Sequence, residues 1–87
     1  MAGHHEFNVP SELDDLLDRL PVGLALHVPD DFLEIWFPPG VVADVMEERA
    51  RKLAERYAGT CGCTFSYQAS LGEGRFYKGP RNHAALR

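Results

Sequence analysis

Leucines at positions 13, 16, 17 and 20 recur at the spacing i, i+3, i+4, i+7, with Asp14, Asp15 and Asp18 between them. That period gathers the leucines on one stripe of a helix and the acids on the other side. The spacing predicts a short amphipathic helix over 11–20. Ser11 is placed to cap it, Asp14 stands three residues on as a capping-box-like acid, and Pro21 stops it.

The period then changes to two. Val22, Leu24, Leu26 and Val28 alternate with Gly23, Ala25 and His27, which predicts a strand over 22–28. Pro29, Asp30 and Asp31 supply turn chemistry, and FLEIWF (32–37) is expected as the return strand of a hairpin. In that strand Leu33, Ile35 and Phe37 form one face, and Phe32, Glu34 and Trp36 the other.

Pro38, Pro39 and Gly40 break the pattern, after which residues 41–59 return to a helical period. Val42, Ala43, Met46, Ala50, Leu53, Ala54 and Tyr57 fall within an arc of about 120°. Acids come early (Asp44, Glu47, Glu48) and bases later (Arg49, Arg51, Lys52, Arg56), the order that suits the helix dipole. Glu47–Arg51 and Glu48–Lys52 are expected i, i+4 pairs, and Gly59 a left-handed stop. CGCTFSYQA (61–69) reads as a strand, 70–74 as a turn and 75–78 as a closing strand.

The expected order is α-β-β-α-β-β. It implies an α+β fold: one four-stranded, mainly antiparallel sheet, with the long helix on one face and the short N-terminal helix beside it. The expected organisation is a leader over 1–9, one domain over 10–78 and a basic tail over 79–87. The paired His4 and His5 are either native or part of a tag, and no site is expected in the first seven residues.

Composition narrows this picture. A chain of 87 residues makes a single domain, and 45% apolar residues suffice for a packed core. No apolar run approaches the roughly 20 residues that span a bilayer, and the N-terminal residues lack a signal-peptide pattern. The expected location is the cytoplasm, where two cysteines are thiols. The net charge of −4 conceals an asymmetry. Residues 1–50 carry eleven acids and two bases, a balance of −9, whereas residues 51–87 carry seven bases and two acids, a balance of +5. Such bipolarity favours self-association.

Chemistry is sparse. In an extended strand Cys61, Cys63, Phe65 and Tyr67 share one face, which places both thiols in or at the edge of the core. The alternative is a metal or redox role for Cys61 and Cys63. Two thiols are half of a closed zinc site, and i, i+2 Cα atoms lie about 6.6 Å apart, at the upper edge of disulfide geometry. No lysine, arginine or histidine adjoins them in sequence to stabilise a thiolate. His27 has no acid partner legible in sequence, and no phosphate loop or nucleophile elbow occurs. The expectation is a non-enzymatic interaction or regulatory module without a cofactor, acting through protein contacts and dimeric. Its expected contact residues are Phe32 and Trp36, on the outer face of the FLEIWF strand, and Arg49, Lys52 and Arg56, within about 60° of one another on the long helix. Extended by Arg75, Lys78 and Arg81, that basic edge could track phosphates, but the acidic whole makes nucleic acid the less favoured partner.

Overall fold

The computed structural model describes residues 8–42 and 45–80. Apart from residues 8, 9, 79 and 80, the expected leader and tail lie outside the described residues, as do Ala43 and Asp44. The fold is α+β with three helices and two antiparallel sheets, one of three strands and one of two.

Helix α1 (Ser11–Arg19) forms where the leucine stripe predicts, burying Leu13 and Leu17, with Leu20 partly buried and Leu16, expected on the same stripe, left 56% exposed. Ser11 makes no capping bond; Pro10 stands at the cap position instead. Strand β1 (Ala25–Pro29) follows. The next segment departs from expectation. FLEIWF is not a return strand; its first five residues, with Asp30 and Asp31, form helix α2 (Asp30–Trp36), and Phe37 follows at the cap. Pro29 and two aspartates are helix-start chemistry as readily as turn chemistry: Pro29 holds an extended φ, and the acids face the positive end of the helix dipole. Leu33 and Phe37, four apart, are fully buried, as a helical period demands.

The long helix also starts later than expected. Val41–Val42 (β2) and Val45–Met46 (β3) pair antiparallel as a small hairpin, and helix α3 runs from Glu48 to Thr60. Three β-branched valines in four described positions favour extended backbone over helix. Val42 is therefore exposed rather than part of a helical arc. The expected Glu48–Lys52 pair is present at 3.4 Å, whereas Arg51 pairs with Glu55 at 3.0 Å. Gly59 lies within the helix, and the left-handed residue is Gly62 (φ 75°).

Strands β4 (Cys63–Gln68) and β5 (Glu73–Lys78) form the expected hairpin, joined by a 3-10 turn at Ala69–Leu71. The sheet order is β1-β5-β4, with β5 central. The expected four-stranded sheet is thus corrected to three strands, because the segment meant as the fourth coils into α2. Register puts Leu26 and Phe65 opposite Phe76, and Val28 and Tyr67 opposite Gly74, on one face. Gly74 is required there: a Cβ would stand 2.6 Å from the Phe65 ring. Phe76 centres the core, with Phe65 at 5.0 Å, Tyr57 edge-on at 6.1 Å and Phe37 at 6.3 Å between ring centroids. Alanines 50, 54 and 58 let α3 approach this face closely. Among the described residues, no helix is long and apolar enough to cross a membrane.

Candidate interaction surface

Helix α3 has one buried side and one cationic side. Arg49, Lys52 and Arg56 are all exposed. Together with Leu53 and Pro38 they line a concavity of about 470 Å³. The sequence spacing brought the three cations together; the fold added Pro38, from the loop after α2, to the lining. Lys52 is shared with Glu48 at 3.4 Å, an exposed pair worth little and readily exchanged for another carboxylate. A lining of two guanidinium groups, an ammonium, a leucine and a proline offers fixed charge and apolar contact. Its lining holds no carboxylate, hydroxyl, thiol or imidazole.

A second concavity has the opposite sign. Asp14, Asp15 and Asp18 of α1, with Thr60 and Cys61 at the end of α3, line about 340 Å³. Three hydrogen bonds from two side chains fix α1 in place there. The Tyr57 hydroxyl donates to Asp14. Lys78, only 2% exposed, donates from Nζ to the carbonyl oxygens of Leu17 at 2.5 Å and Asp18 at 3.1 Å, capping the negative end of α1. Burial chiefly, and then the bond to Asp14 and the proximity of Cys61, push the Tyr57 hydroxyl far above its ordinary range.

These contacts break up the longer basic stripe expected from sequence. Lys78 is consumed inside the fold. Arg75 lies on the opposite face of the sheet from the core, between His27 and Ser66 in register. Arg81 lies outside the described residues. His27 does have an acid partner: its Nδ1 stands 2.5 Å from Glu73 Oε2. No local pattern predicts that contact, because 46 residues separate the two and only the β1–β5 register makes them neighbours.

Phe32 and Trp36 stay together, though as i, i+4 neighbours on α2 rather than strand neighbours, with ring centroids 5.3 Å apart. Phe32 is 47% exposed and Trp36 half-buried. Ile35, expected in the core, is 61% exposed, because a helix turns it away from Leu33.

The thiols do not share a strand face. Cys61 sits in the turn before β4, where the positive φ of Gly62 redirects the chain, and Cys63 is buried at the start of the strand. Burial, partly offset by Lys78, raises the Cys63 thiol above its ordinary range, which keeps it protonated and slow to react. Among the described residues, no three histidine, cysteine or acidic side chains converge as a metal site. Comparison with known proteins finds no matching family model, no similar curated protein and no similar solved structure, so the reading of this surface rests on its own geometry.

Proposed function

We propose that the chain is a non-enzymatic protein-interaction module whose contact surface is the basic groove of α3. The groove itself carries this reading: Arg49, Lys52 and Arg56 converge with Leu53 and Pro38 on one concavity. Its chemistry suits an acidic segment bearing an apolar side chain. A carboxylate would accept paired hydrogen bonds donated by the Arg49 guanidinium, and the apolar side chain would cover Leu53. Complementary charge of this kind sets specificity and association rate more than raw affinity.

A labelled peptide of alternating glutamate and leucine, titrated with the protein and followed by fluorescence anisotropy, tests the reading. Binding at low salt that weakens as salt rises, and is lost in the Arg49→Glu/Lys52→Glu variant, is the expected result. No binding at low salt would sink it. The Phe32–Trp36 stack with Ile35 supports a second contact reading, in which α2 presents an apolar face to a partner. The association experiment below separates the two.

A further inference from the structure

The exposed side of α3 has ends of opposite sign. At about 100° per residue, Arg49, Lys52, Leu53, Arg56 and Thr60 fall within an arc of about 100°, which is one side of the helix. The first four line the basic groove; Thr60 lines the acidic depression with the three aspartates of α1. At a rise of ~1.5 Å per residue, Arg49 and Thr60 stand about 16 Å apart along the axis. The acids are held at their end by the Tyr57–Asp14 and Lys78–α1 bonds, so the polarity belongs to the folded core and not to a loose arm.

A surface positive at one end and negative at the other is complementary to itself turned end for end. Two copies of α3 laid antiparallel across a two-fold axis would put each groove against the other's acidic depression. We infer that the chain forms a two-fold homodimer through this side of α3. Arg49 and Lys52 of each copy face Asp15 and Asp18 of the other, and Leu53 lies near the axis. The inference rests on the groove being an acid-binding surface and names its occupant: a second copy of this chain. Because each copy gives both halves of the contact, assembly closes at two and leaves no free end to propagate.

Sedimentation velocity on the full chain over a concentration series tests it, using two charge-reversed variants. Arg49→Glu/Lys52→Glu makes both concavities acidic; Asp15→Lys/Asp18→Lys makes both basic. The wild type should dimerise at low salt and dissociate as salt rises. Each variant alone should be a monomer, with association weakened by about tenfold or more. The two variants mixed should form a one-to-one complex, which also shows that both are folded. Dimers that persist in both variants, or that are lost on Phe32→Ala instead, would place the contact elsewhere and overturn the inference. A wild type that stays monomeric at low salt also overturns it. If the acidic peptide still binds that monomer, the groove reading stands alone; if it does not, both fall.

Discussion

Lys78 shows how one residue can look functional in sequence and be structural in the fold. It shares the parity of Phe76 on β5, so it points inward, and the carbonyl oxygens at the end of α1 receive its charge. That parity was a legible signal; the acceptors were not, because they come from a helix about 60 residues away. Tyr57 makes the matching bond from α3, and its hydroxyl carries a pH signature. Burial and the Asp14 bond hold it protonated in the folded state, while an unfolded tyrosine ionises near pH ~10. The folded state therefore holds more protons above that pH, and stability falls as pH rises past it. Tyr57→Phe should cost about 1 kcal/mol at neutral pH. Denaturant melts should then show the variant losing less stability than the wild type between about pH 9 and pH 11. Equal losses would show that the Tyr57 proton is not held by the fold.

At the scale of the element, residues 30–37 are the instructive case. A short apolar run bounded by turn residues fits a strand or a helix, and periodicity over so few positions does not separate them. The contact pattern does. A strand buries Leu33, Ile35 and Phe37 together; the helix buries Leu33 and Phe37 and exposes Ile35. Leu33→Ala should cost about 2–5 kcal/mol. Ile35→Ser should change stability by less than about 0.5 kcal/mol. Thermal or chemical denaturation of both variants checks the pair, and a large loss at Ile35 would restore the strand. The late start of α3 has a similar cause. Valines 41, 42 and 45 are apolar at positions that also suit a helical arc, yet their branched side chains pair as β2 and β3.

For the whole molecule, the decisive quantity is where the charge goes on folding. The acidic first half and basic second half do not simply neutralise each other. α1 brings three aspartates to one end of α3, and the groove keeps three bases along the rest of it. A domain this small buries a modest share of its surface, so a dimer contact adds measurably to its stability. If that contact forms, unfolding is coupled to dissociation and the melting temperature rises with protein concentration. The wild type should show that rise at low salt in differential scanning fluorimetry, and the Arg49→Glu/Lys52→Glu variant should not. A wild-type melting temperature independent of concentration would argue against the dimer.

Sequence alone determined what depends on neighbours a few residues apart. The leucine stripe made α1, the β4–β5 hairpin followed from alternation around a glycine-rich turn, and the spacing of Arg49, Lys52 and Arg56 placed them on one side of a helix. Tertiary structure decided whatever required distant partners. It chose helix for residues 30–36, which buries Leu33 and Phe37, the latter against Phe76, and turns Ile35 out to solvent. It set β5 between β1 and β4, which brought Glu73 to His27. It also drew Lys78 into the core and set the aspartates of α1 against the end of α3. Local spacing carries the first kind of information because helix and strand periods are properties of the backbone; the second kind resides in packing and register, which bring together residues that no local period relates.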